Sequence, residues 1–203
     1  MPAKAARPDP LTIAFALVAE QGWAGLSMTD LADRAKLSLV DLYRELPGRG
    51  AILSTLVRRV DEAMLGGDEA ELEGLPARDR VLELLLRRFD ALAPFRAGLK
   101  RLAADGCYDP GVVLLTACRL DRSMAWLQDA ARLRRHGLRA RLARRALSAV
   151  YFQAVRVWLM DDTVDMAKTM AELDKQLRRV GGIAGLREPR TRPAADGEAA
   201  ARA

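Results

Sequence analysis

The chain holds one histidine and two cysteines in 203 residues, and those scarcities remove whole classes of chemistry. His136 alone supplies neither a histidine-based triad nor a multi-histidine metal site. Cys107 and Cys118 lack CxxC spacing and are expected as small core residues rather than as a disulfide or a metal pair. No apolar run approaches the roughly 18 residues of a membrane span, and the N-terminal stretch carries lysine and prolines where a leader would be apolar. A cytoplasmic protein with no integral membrane association is therefore the expectation. Acidic residues gather at 66–74, but their spacing is not that of a calcium loop, and no other acidic pair is framed by a motif. No enzyme, cofactor or metal is expected.

What is present is half hydrophobic residues, 30% charged residues and a net charge of +6, enough for one or two packed helical domains. Two Ser-x-x-Asp boxes stand eleven residues apart, Ser27-Met28-Thr29-Asp30 and Ser38-Leu39-Val40-Asp41. In each, the serine oxygen can accept an amide of the first helical turn while the aspartate reaches back, which starts a helix. The two short helices so defined, joined by three or four residues, match the helix-turn-helix unit whose second helix enters the DNA major groove.

The flanks agree with this reading. Asp9-Pro10 caps a helix whose Leu11, Ala14, Phe15 and Val18 recur at i, i+3, i+4 and i+7 and which should stop at Gly22. After Pro47-Gly48-Arg49-Gly50, the residues Leu53, Leu56, Val57, Val60 and Met64 form another apolar stripe. Residues 10–65 thus make a helical head behind an arm at 1–9. Between Ser27 and Arg49, four basic residues (Arg34, Lys36, Arg44, Arg49) balance four acidic ones (Asp30, Asp33, Asp41, Glu45), so the unit is net neutral. Non-specific affinity comes chiefly from phosphate neutralisation, so DNA binding would be weak unless Lys4, Arg7, Arg58 or Arg59 contribute. A unit that keeps its fold and has lost its DNA stays open.

Beyond a solvated linker at 66–74, residues 77–186 are expected to be helical and 187–203 to form a disordered tail. Long helices fit 112–133 and 138–160. A last helix over 163–180 carries Met166, Met170, Leu173, Leu177 and Val180 at alternating four and three spacing, the seam of a helix pair. That seam lies either in a homodimer interface, shared with Val157, or in the chain's own core; its position at the end of the chain favours the dimer. Seven arginines fall within 132–145, read as a solvated face, an anionic effector site or a contact for acidic lipid headgroups.

Taken together, Ala19-Glu20-Gln21-Gly22-Trp23, Ser27-Met28-Thr29-Asp30-Leu31-Ala32, Leu42-Tyr43 and Leu46-Pro47-Gly48-Arg49 resemble the N-terminal domain of TetR/AcrR-type transcriptional regulators without a gap from about 11 to 56. The resemblance implies an all-α, TetR-like fold of about nine helices: a three-helix helix-turn-helix head and a C-terminal bundle. It further implies a homodimeric repressor that binds a palindromic duplex operator and is released by a small apolar or amphipathic ligand. Thr29 and Tyr43 would then contact phosphates, Ser38, Leu39, Val40, Asp41 and Arg44 would face the groove, and Arg49 would hold the DNA backbone. Arg44 could pair with guanine, and Leu39 or Val40 could touch a thymine methyl. Phe89, Phe95, Met124, Trp126, Leu127, Phe152 and Trp158 would surround a central ligand cavity. Two departures stand out: Lys36 replaces the glycine usual in the turn, and Leu39-Val40 replaces a basic or small pair. The body, notably Arg87-Arg88-Phe89-Asp90-Ala91-Leu92 and Trp158-Leu159-Met160-Asp161-Asp162, also resembles the TetR-fold lipid-binding accessory protein of ubiquinone biosynthesis, which would make the protein a lipid carrier without an operator.

Overall fold

The computed structural model describes residues 8–105, 110–133 and 136–186; residues 1–7 of the arm expected at 1–9 and the tail expected at 187–203, with Lys4, Arg7, Cys107, Arg134 and Arg135, lie outside them. Those residues form an all-α protein of nine helices: α1 Pro10–Gly25, α2 Met28–Ala35, α3 Leu39–Glu45, α4 Arg49–Leu65, α5 Ala77–Leu92, α6 Arg96–Ala104, α7 Pro110–Ala130, α8 Gly137–Met160 and α9 Ala167–Ala184. No helix among them is long and apolar enough to cross a membrane.

The first helix starts as its sequence dictates. Asp9 accepts the Thr12 amide at 3.2 Å and Pro10 occupies the first turn, where its missing N–H costs nothing. Leu11, Ala14, Phe15 and Val18 turn inward together. At Gly22 the backbone takes φ 78° and ψ 169°, so the expected stop is a kink, after which helix resumes to Gly25. A Cβ at Gly22 would sit 2.5 Å from the Asp105 carboxylate, which leaves the position to glycine on both counts.

Head and body share a core. One cluster of buried apolar side chains runs from Leu11 to Leu186, and α1 is clamped to the body by α6. Gly98 makes this contact close, since a Cβ there would lie 2.4 Å from the Phe15 carbonyl oxygen. Phe15 and Phe95 meet edge-on at 5.3 Å beside it. α4 in turn packs on α5 and α7.

The few buried polar groups tie helices together. Arg88 of α5, 2% exposed, donates to Asp61 of α4 and to Ser123 of α7 (2.7 Å), and its guanidinium lies 4.8 Å from the Tyr151 ring centre on α8. Asp161, just past α8, accepts from Thr169 (amide 2.9 Å, hydroxyl 2.7 Å) and from Thr163 (3.1 and 2.5 Å). Arg96 donates to the Trp158 and Asp161 carbonyls below it.

The last helix differs from its expected bounds. It begins at Ala167, after Met166 takes the left-handed conformation at φ 54°, and Thr163 lies before the helix with its hydroxyl accepting the Ala167 amide at 2.9 Å. It runs through Gly181 and Gly182 and ends at Gly185, whose φ of 77° closes the helix. The segment expected as a solvated linker is mostly exposed and is also held to the body as a strap. It contains a 3-10 turn at Ala70–Leu72 and is pinned by Arg87, which donates to Glu71 (2.6 Å) and to the Asp68 carbonyl (3.1 Å). Cys118, expected in the core, is exposed.

Candidate nucleic-acid interface

Both serine boxes work as helix caps. Ser27 Oγ accepts the Thr29 and Asp30 amides at 3.2 and 3.4 Å, and Ser38 Oγ accepts the Asp41 amide at 3.1 Å while donating to its carboxylate at 2.7 Å. Between the helices lie three residues, Lys36 to Ser38, and Lys36 adopts the left-handed conformation at φ 54°. This is the position at which the resemblance expects glycine. The turn keeps its shape with lysine, at a steric cost of about 1 to 2 kcal/mol.

α2 buries Leu31, Ala32 and Ala35, whereas α3 buries Leu42 alone. The second helix therefore stands out from the head on one apolar anchor. Its outer surface carries Leu39, Val40 and Tyr43, which are 53%, 60% and 68% exposed, together with Asp41 and Arg44. These are the residues expected to face the groove, and the fold brings them to one surface with Thr29 at the start of α2.

The charges of this surface largely answer one another. Arg44 lies 3.4 Å from Asp41, and Arg34 grips Glu20 through two bonds of 2.8 and 2.7 Å. Glu20 is held below its usual carboxylate range, first by that hydrogen bond and then against a small burial effect. Arg59 is paired with Asp9 at 2.6 and 3.0 Å, and Arg58 lies 3.6 Å from Glu62. Pairs this exposed are screened by water and salt and add little to stability.

Arg49 differs from expectation. Its Nη2 donates to the Ala24 carbonyl at 3.2 Å and to the Leu26 carbonyl, so its first role is to hold the start of α4 against the α1–α2 junction. Lys36 carries no ion pair among the described residues and stands exposed at the turn between α2 and α3.

Among the described residues, five of the seven side chains expected to surround a central cavity are packed in the core. Phe89, Phe95, Met124, Leu127 and Trp158 are buried core residues, with Phe89 5.7 Å from Tyr151 and 5.6 Å from Trp158 between ring centres. Trp126 and Phe152 are the reverse, 53% and 59% exposed. A cleft of about 570 Å³ does exist, but at the edge of the body, where the strap, the end of α4, α5 and α7 meet; Trp126 is the one expected pocket residue in its lining.

Part of the expected dimer seam lies in the protomer's own core. Leu173 and Leu177 are fully buried within the protomer, where α9 packs on α8, and so cannot reach a partner. Val157 and Met166 are half-buried and Met170 is 42% exposed. Met170 of the expected seam thus stays exposed, and the other large apolar groups exposed on these two helices are Leu138, Leu142, Phe152, Met160 and Ile183. In the arginine-rich stretch Arg132 lies 3.7 Å from Glu69 and Arg144 3.6 Å from Asp121, while Arg139, Arg141 and Arg145 are exposed. That arrangement agrees with a solvated face.

No protein-family model and no curated protein matches the sequence. The fold, in contrast, is known. A TetR transcriptional regulator from Nitrosomonas europaea superposes with a TM-score of 0.69 at 23% identity, covering 85% of this chain and 96% of its own. A TetR-family regulator from a Rhodococcus species gives 0.60 at 21% identity over 86% and 98%, and the regulator PfmR of Thermus thermophilus gives 0.53 at 20% over 84% and 98%. The chain has the all-α fold of the TetR transcriptional regulators over nearly the full length of each.

Proposed function

We propose that the protein is a TetR-family transcriptional regulator that binds a palindromic duplex as a homodimer and is released by a small apolar or amphipathic ligand. The observation that carries this reading is α3: a serine-capped helix anchored by Leu42 alone, with every other position presented outward beside the cap of α2. A helix so exposed gains nothing for the protomer's own core, and it has the form that enters a major groove. Thr29, Tyr43 and Lys36 would meet phosphates, Arg44 would leave Asp41 for a guanine edge, and Leu39 and Val40 would meet thymine methyls.

Doubling the head is how a short reading helix gains affinity, and the outward apolar side chains Leu142, Phe152, Met160 and Met170 on α8 and α9 supply a surface for it. The two recognition helices would then sit about 34 Å apart. The lipid-carrier alternative needs an apolar interior large enough for an isoprenoid chain. Among the described residues Phe89, Met124, Leu127 and Trp158 are packed in the core, which favours the regulator.

Selection of bound fragments from random duplex DNA at low salt tests the reading. A palindromic consensus is expected, with Arg44→Ala relaxing one base pair at a cost of about 1 to 3 kcal/mol. Failure to enrich any sequence would overturn it. Sedimentation at micromolar concentration, with Phe152→Glu/Met160→Glu as the monomeric control, tests the dimer.

A further inference from the structure

The basic charge of the chain is concentrated in one place. Between Asp129 and Asp161 there is no acidic residue, and the eight arginines that stand there exceed the net charge of +6 of the whole chain. An excess of one sign on this scale marks a surface that attracts the other. α8 carries five of the eight, Arg139, Arg141, Arg144, Arg145 and Arg156, and no carboxylate.

The first turns of α8 present these charges outward together with apolar groups. Ala143 and Leu147 are buried, and the Gln128 side chain of α7 donates to the Ala140 carbonyl at 3.4 Å, which fixes the inner face. On the opposite side Leu138, Arg141, Leu142 and Arg145 fall within about 100° of helical arc, and all four are exposed, Leu138 by 71% and Leu142 by 47%. Arg139, Arg141 and Arg145 have no ion pair among the described residues. Of the carboxylates on neighbouring elements, Asp121 answers Arg144 at 3.6 Å and Glu69 answers Arg132 at 3.7 Å, and Asp129 is the remaining acid of the last turn of α7. No side chain caps α8 and no acid in its first turn offsets the positive end of its dipole. The approach is open, since a Cβ at Gly137 would meet nothing within 4 Å.

This corner lies away from the head. Arg132 shares a cleft with Leu65, the last residue of α4, whereas Arg49, at the other end of that helix, is fastened to the head about 25 Å off along the axis. The mixture of side chains decides what fits it. A nucleic-acid backbone would use the arginines and leave the two leucines against charged phosphates, where they gain nothing. A bilayer with anionic headgroups uses both, the guanidiniums on the phosphates and the leucines in the acyl boundary.

We propose that the start of α8 docks the protein on an anionic lipid surface, with Leu138 and Leu142 entering the acyl boundary and Arg139, Arg141 and Arg145 meeting the headgroups. The contact is peripheral, goes beyond the regulatory reading and does not depend on it. In a dimer that covers Leu142, Leu138 and the three arginines at the helix end carry it.

Co-sedimentation of the full chain with vesicles tests the proposal, using phosphatidylcholine alone and phosphatidylcholine mixed with phosphatidylglycerol. Binding to the mixed vesicles alone is expected, weakening as salt is added. Arg141→Gln should weaken it about fivefold and Leu138→Ser about three- to tenfold, with circular dichroism and thermal midpoints showing that both variants remain folded. Leu138→Trp should add tryptophan emission that brominated lipid quenches beyond the wild-type level. Absence of binding, equal binding to both vesicles, or binding indifferent to Leu138→Ser overturns the proposal; indifference combined with displacement by heparin would make the corner a polyanion site instead. Loss of vesicle binding in Arg44→Ala would move the contact to the head and overturn it as well.

Discussion

Head and body use polar side chains in opposite ways. In the head, charged groups lie on the surface and meet partners near in sequence or across a short span: Ser38 with Asp41, Asp41 with Arg44, Glu20 with Arg34. In the body, a few polar groups are taken out of water and join helices far apart in the chain, as Arg88 joins Asp61, Ser123 and Tyr151. The difference is energetic. Exposed pairs cost little to break and are readily replaced by water, whereas a buried charge that loses its partner cannot be rehydrated cheaply.

The largest expected effect tests the buried side of this contrast. Arg88→Ala removes the guanidinium that donates to both Asp61 and Ser123, leaving Asp61 the Ser123 hydroxyl but no cation, in a site where Arg88 is 2% exposed, and should lower stability by about 3 to 5 kcal/mol in urea unfolding. A loss no greater than that of Arg44→Ala would erase the distinction between the two regions. Next comes the clamp between them. Gly98→Ala drives a methyl into the Phe15 carbonyl and should cost about 1 to 3 kcal/mol, with near-ultraviolet dichroism reporting the disturbed Phe15–Phe95 contact.

Acid should attack both regions through the same kind of group. For Asp161 burial opposes ionisation, but the hydrogen bonds of Thr163 and Thr169 outweigh it and hold its carboxyl well below the usual range. The Arg59 hydrogen bond lowers Asp9 to about 2, with burial opposing and Thr12 assisting. Both are depressed in the folded state, so their contribution is complete above the unfolded value near 3.8 and is lost as pH falls through the folded values. Urea midpoints should fall between about pH 4 and pH 2, and Asp161→Asn should flatten that fall more than Asp9→Asn. Identical slopes in both variants would mean that burial in the body adds nothing to what exposure gives in the head.

The smallest effect is a gain. Lys36→Gly relieves a left-handed lysine and should raise stability by up to about 1 kcal/mol, part of the relief being lost to the freedom glycine adds to the unfolded chain. A thermal midpoint lowered by the substitution would show that the lysine side chain holds the turn by a contact stronger than its strain.

This contrast also explains what the sequence disclosed. Asp9, Ser27 and Ser38 act within three residues of themselves, so their caps and the helices they start can be read from spacing alone. The stripe of α9 was legible as a seam, yet periodicity states only that a face is covered and not by which chain; Leu173 and Leu177 turn out to be covered by α8 of the same protomer. Trp126 and Phe152 were bulky enough to suggest a cavity, but a rotation of one position about a helix separates core from surface, and both lie outside. The strap at 66–74 passed for a linker because Arg87, which pins it, is many residues away. Arg49, expected on DNA, is engaged by carbonyls more than twenty residues earlier in the chain, a pairing no local pattern signals.

The contact at Gly98 sets the rule for grafting. A transplant of residues 10–65 onto another body would carry α1 without the one helix shaped to receive its backbone, and a side chain at the equivalent of Gly98 would prise the graft off its seat. The exchangeable cassette of this protein is therefore α1 to α4 together with α6, two pieces of chain that are distant in sequence and inseparable in use.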